Sequence, residues 1–190
     1  MMRKFGKAVL AMLLGGGSPG VAAAQDDQLV ERFHDAVAEG AVDAVREMLA
    51  VTPSLATSVG RFGFQPMQLQ DVYFEERILD LLLAQGAEIN GGNDEGVTLL
   101  HIVTEPEAVP VLIAKGADPE ARDIRGWTPL IMQVSSQENG PDVVAALLEA
   151  GADPEAVGKD GKTALDMALE GDADPELIAI LKQAAGQNPR

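Results

Sequence analysis

The chain has 190 residues, with 14 basic and 30 acidic side chains, a formal net charge of −16 and no cysteine. The missing cysteines exclude disulfides, thiolate metal sites, a cysteine nucleophile and a lipid-modified cysteine anchor. The acidic surplus argues against nucleic acid and anionic lipid headgroups, both of which such a surface repels.

The N-terminus reads as a secretory signal. Arg3, Lys4 and Lys7 make a positive start, residues 8–14 form a short apolar run, and residues 15–20 break it with glycine and Pro19. Ala22, Ala23 and Ala24 then offer a small-residue cleavage site, so cleavage is expected after Ala24. The apolar run is far shorter than the roughly 20 residues that span a bilayer, and no membrane span is expected. Arg3-Lys4 is not a twin-arginine pair, which favours export of an unfolded chain, and a bacterial periplasm is the expected location. Losing residues 1–24 removes three basic and no acidic residues, which would leave 166 residues at a net charge of −19. That length suits one domain.

From residue 27 onward one apolar pattern recurs five times, as Val45-Met48-Leu49, Leu79-Leu82-Leu83, Val109-Leu112-Ile113, Val144-Leu147-Leu148 and Leu177-Ile180-Leu181. Successive copies are 34, 30, 35 and 33 residues apart. Self-similarity at that period indicates a stacked array whose units cannot bury an apolar face alone. Three copies run into Gly86-Ala87-Glu88, Gly116-Ala117-Asp118 and Gly151-Ala152-Asp153, where glycine ends a helix in a left-handed conformation. Upstream lie Gly63-Phe64-Gln65-Pro66-Met67, Gly96-Val97-Thr98-Leu99-Leu100, Gly126-Trp127-Thr128-Pro129-Leu130 and Gly161-Lys162-Thr163-Ala164-Leu165. Their glycines read as turn residues, Thr98, Thr128 and Thr163 as N-caps, and Pro66 and Pro129 as first-turn prolines. Each unit is therefore a helix, a turn, a second helix and an extended finger.

These stretches resemble the ankyrin repeat, with its T-P-L-H-x-A start and G-A-D helix end, over nearly everything from Gln28 to Ala184. The resemblance implies an all-α solenoid of about five helix-turn-helix units, including N- and C-terminal capping repeats. The units are expected at 27–58, 59–91, 92–121, 122–156 and 157–186, within a domain spanning 25–186 and followed by a flexible tail at 187–190. The first unit keeps Phe33-His34-Asp35-Ala36 but lacks the turn. In the last, Asp174-Pro175-Glu176 starts a helix with a capping acid and a first-turn proline.

The departures from regularity are local. The short step falls around Thr104-Glu105-Pro106 and the long one at residues 135–140, both between the two helices of a unit. Pro110 follows Val109, so that helix either begins near Pro106 and holds Pro110 in its first turns, or kinks. Gln70, Val103 and Gln133 replace the alanine of the first helix. Both glutamines read either as internal hydrogen bonders or as part of a binding groove.

Little in the chain points to catalysis. Only two histidines occur, His34 and His101, and both fall on the His position of the signature, where the family ties neighbouring turns together. No phosphate-cradling glycine loop follows a strand. The stretch 90–96 has a faint likeness to a calcium loop but lacks its alternating ligands and distal Glu. No cofactor, metal or catalytic residue is assigned.

Recognition remains. The resemblance implies a concave surface lined by fingers and first helices, with tips at Arg61-Phe62, Asp94-Glu95, Ile124-Arg125 and Lys159-Asp160. Phe64 and Trp127 follow turn glycines, where burial is difficult, and aromatics beside arginine are the makings of an interface. Tyr73 and Phe74 fall between helices and are open to plugging the stack. The expected partner-binding set is Arg61, Phe62, Phe64, Asp94, Glu95, Ile124, Arg125 and Trp127. The partner is another protein; the acidic coat either complements a basic patch on it or merely keeps the array soluble. The chain is expected to be a monomer when free. It reads as a non-catalytic periplasmic module that shields, inhibits or escorts another envelope protein. The alternative is a small periplasmic enzyme or ligand binder built on the same scaffold.

Overall fold

A computed structural model describes residues 19–136 and 141–187. Among the described residues every regular element is helical. Helices α1 (Pro19–Ala38) and α2 (Val42–Val51) are followed by 3-10 segments at Pro53–Thr57, Arg61–Gly63 and Pro66–Gln70. Then come α3 (Glu76–Ala84), α4 (Leu99–Ile102), α5 (Ala108–Ala114), α6 (Pro129–Ser136), α7 (Pro141–Glu149), α8 (Ala164–Glu170) and α9 (Pro175–Gln187). No helix among them is long and apolar enough to cross a membrane. Residues 1–18 of the expected leader lie outside the described residues, and α1 passes through the Ala24–Gln25 bond.

The elements form two rows. α1, Pro66–Gln70, α4, α6 and α8 follow one another along the inner row. α2, α3, α5, α7 and α9 make the outer row. The apolar pattern supplies the core between them, with a shift at the ends. In the three interior units the first two residues of each pattern are buried: Leu79 and Leu82, Val109 and Leu112, Val144 and Leu147. In the terminal units the first and third are buried instead, Val45 with Leu49 and Leu177 with Leu181. A helix with a neighbour on one side only turns a narrower face inward.

The ends of the outer helices follow from their sequence. Ala87 and Gly86 donate to the carbonyls of Leu82 and Leu83 at 3.1 and 3.0 Å, with Gly86 at φ 93°. This left-handed glycine motif satisfies the last carbonyls and folds the following alanine, which is buried, under the helix. The same pairing recurs at Gly116-Ala117 and Gly151-Ala152.

The irregular spots resolve simply. α5 begins at Ala108, so Pro110 is its third residue, where an N–H has no intrahelical acceptor to lose. The three-residue shortening leaves α4 with a single turn of four residues. The insertion expected around residues 135–140 falls partly outside the described residues. The inner element of the second unit is a 3-10 segment rather than an α-helix, started by Pro66 and capped by Gln65 and Gln68.

Candidate functional site

Four fingers connect the units, and a main-chain bond closes the base of each. Gly60 donates to Phe64 at 2.8 Å, Asn93 to Val97 at 3.1 Å, Asp123 to Trp127 at 3.1 Å and Gly158 to Lys162 at 3.0 Å. Adjacent tips are joined by a second set. Asp94 N–H donates to Phe62 O at 3.4 Å, Ile124 N–H to Glu95 O at 2.8 Å and Lys159 N–H to Arg125 O at 2.9 Å. The tips therefore stand in one row, and the expected residues from Phe62 to Arg125 share one edge of the molecule.

Two fingers carry a brace that the sequence reading missed. Asn93 Oδ1 accepts from the N–H groups of Glu95 and Val97, and Asp123 Oδ1 from those of Arg125 and Trp127. The signal was present: an Asx residue three positions before the finger glycine is the mark of a side chain that mimics a backbone turn. Gly60 and Gly158 hold that position in the other fingers and supply no such brace. Asn93 is thereby committed to its turn, and Asn90 bridges Gly116 O and Asp118 N–H, so the calcium-like stretch is finger structure.

The inner row is tied through the His position of the signature. Thr98 N–H donates to His101 Nδ1 at 3.1 Å, which leaves the proton on Nε2 to be donated to Trp127 O at 3.2 Å. Burial holds the His101 imidazole below its ordinary pKa and keeps it neutral in this role. His34 pairs with Ser58 Oγ at 2.9 Å, and burial lowers its pKa as well. Gln68 takes the same place in the second unit. Its Oε1 accepts from Gln65 N–H at 2.7 Å, and its Nε2 donates to Val97 O at 3.0 Å. Gln133 bonds internally, to His101 O and Val103 O. Gln70 accepts from Glu75 N–H at 3.3 Å, and its Nε2 is buried without a hydrogen-bond partner. Among the described residues no group of three or more His, Asp or Glu could hold a metal ion.

The expected site residues divide by exposure. Phe62 is 71 % exposed, and Asp94, Glu95, Ile124 and Arg125 are also exposed. The main chain of Arg61 belongs to the first tip, and its side chain lies outside what is described. Phe64 and Trp127 are half-buried, and Trp127 packs against the apolar core, so the turn position does not keep the indole free. Tyr73, open to a plugging role, is 65 % exposed; Phe74 is half-buried against the core.

Two tips have distinct chemistry. At the first, Phe62 has φ 59° and ψ 26° and is followed by Gly63 at φ 74°. Left-handed conformation at both central positions is a type I′ turn, which favours Asn, Asp or Gly at the first of them. A Cβ-bearing aromatic held there costs on the order of 1–3 kcal/mol. At the third tip, the Arg125 guanidinium lies 3.8 Å from the Trp127 ring centroid, while Arg125 Nε donates to Asp123 Oδ2 at 2.7 Å. The Asp123 side chain is fully buried, so it holds Arg125 against the ring from below.

No curated protein matches the chain. The sequence does match the family described as "Ankyrin repeats (3 copies)" over residues 67–158 and 104–189. With the stacked helix pairs and their glycine-ended outer helices, this match establishes that the chain belongs to the ankyrin-repeat family.

Proposed function

We propose that this protein is a non-catalytic periplasmic interaction module that binds another envelope protein through its finger and inner-helix surface, and so shields, inhibits or escorts it. Ankyrin repeats generally mediate protein–protein interaction, and the narrower reading rests mainly on Phe62. An aromatic side chain is held in solvent, in a backbone conformation that disfavours it. Such a residue lowers stability without contributing to the core, which is what a contact residue kept for a partner does. The histidines support the same reading, because both imidazoles are engaged in structural bonds, His101 to the next repeat and His34 to Ser58 within the first.

Export follows from residues 1–24, with cleavage after Ala24 and release of an acidic, cysteine-free domain. The free protein is a monomer in this reading.

The test is affinity capture of the tagged chain from its own periplasm. Wild type is expected to bring down one stoichiometric protein. The double variant Phe62→Asn/Ile124→Ser is expected to keep its helical circular dichroism and lose that protein. Equal recovery by the variant, or a stoichiometric small molecule in place of a protein, would overturn the proposal.

A further inference from the structure

The third and fourth finger tips carry the cations Arg125 and Lys159 side by side. Arg125 donates through Nε to the buried Asp123 carboxylate, and its Cζ lies over the Trp127 ring, 3.8 Å from the centroid. Its terminal nitrogens Nη1 and Nη2 make no hydrogen bond among the described residues, and the side chain is 44 % exposed. The next tip adds Lys159, whose Nζ donates to Ile124 O at 2.7 Å and has no carboxylate partner among the described residues. The tips adjoin through the Lys159 N–H to Arg125 O bond. Ile124, 56 % exposed, supplies apolar surface beside them. The neighbouring acids are Asp160, whose Oδ1 accepts from Lys162 N–H, and Glu95, whose main-chain carbonyl accepts from Ile124 N–H at the tip before.

A guanidinium fixed through Nε and stacked on a ring has lost most of its rotational freedom before any ligand arrives, and its free edge matches two carboxylate oxygens. We propose that this corner of the finger edge is a carboxylate clamp. It grips an Asp or Glu side chain of the partner protein, with an adjoining apolar residue of the partner seated on Ile124 and the open part of Trp127. The inference rests on the interaction-module reading and names the partner's chemistry at that same surface. It departs from the basic partner that is one of the two readings of the net charge of −16. The reason is physical: at contact distance the local, desolvated pair outweighs the screened field of distant carboxylates. A polyanion is disfavoured, because each further phosphate would meet the acidic coat.

The probe is a random dodecapeptide library displayed on phage and panned on the immobilised full chain. Enriched clones are expected to contain Asp or Glu next to an apolar residue. Arg125→Gln, or alanine at the clone's acid, should each weaken binding about tenfold, with the double change little worse than either alone. Arg125→Lys keeps a charge beside Asp123 and protects folding, yet lacks the fork, and should also weaken binding severalfold. Clones that are basic, or that bind Arg125→Gln as well as wild type while losing affinity for Phe62→Asn/Ile124→Ser, overturn the clamp and leave the interaction module standing. Clones indifferent to both variants, or no enrichment at all, overturn both.

Discussion

Gln133 in the fourth repeat donates to the main-chain carbonyl of Val103 in the third at 2.9 Å, and the same Nε2 reaches His101 O at 3.0 Å. These carbonyls lie at the end of α4, which stops at Ile102 because the third unit is short. A glutamine in one repeat thus caps the truncated helix of its neighbour.

Gln133→Leu should therefore lower unfolding free energy by about 1–3 kcal/mol, the cost of leaving buried acceptors unpaired. Gln70→Leu is the control, since Gln70 Nε2 has no partner to lose and its Oε1 accepts only a long 3.3 Å bond from the half-buried Glu75 N–H. Its effect should stay within about 1 kcal/mol of wild type. Urea unfolding of both variants measures the difference, and equal losses would remove the capping argument.

Phe62→Asn should raise stability by about 1 kcal/mol, because asparagine tolerates the left-handed position where phenylalanine is strained. A higher urea midpoint together with weaker partner binding would be the signature of a residue kept for contact. A lower midpoint would mean that Phe62 stabilises the fold.

Asp123→Ala removes the acceptor of two main-chain N–H groups and of Arg125 Nε. A loss of about 1–3 kcal/mol is expected. The chain has one tryptophan, so release of the guanidinium from the Trp127 ring should change the intrinsic fluorescence of the folded protein. An unchanged emission spectrum would count against the stack.

Stability should fall on mild acidification. Burial lowers the folded-state pKa of His101 and His34 below the ordinary 6.5. Above that value both folded and unfolded chains are neutral at these sites and the full stability is present. As pH drops, the unfolded chain takes up protons first, and stability is lost down to the depressed folded values. The Asp71 and Glu120 carboxyls, raised by burial, act in the opposite sense and at lower pH. His101→Gln copies what Gln68 does one repeat earlier, so it should fold at neutral pH and show a shallower loss just below pH 6.5. An unaltered slope would place the proton uptake elsewhere.

Intact-mass measurement on protein recovered from a bacterial periplasm should find a chain that begins at Gln25. Full-length chain retained in the cytosol would contradict export.

The two kinds of information separate along physical lines. The repeat, its register, the glycine-ended outer helices and the threonine caps were all legible in the residues, because each depends on backbone rules acting within a few positions. The finger tips were placed for the same reason. The shifted burial of the terminal helices was not legible, since the same spacing buries Val109 with Leu112 inside the array but Val45 with Leu49 at its end. Nor was the partial burial of Trp127, which follows its finger glycine as Phe64 does. Trp127 packs against the core and lies beside Gly158 of the next finger, whereas Phe62, at the tip place that Arg125 fills in the third finger, is exposed. Local chemistry decides where the chain turns. Only the packing of one repeat on the next decides how far each turn residue is exposed.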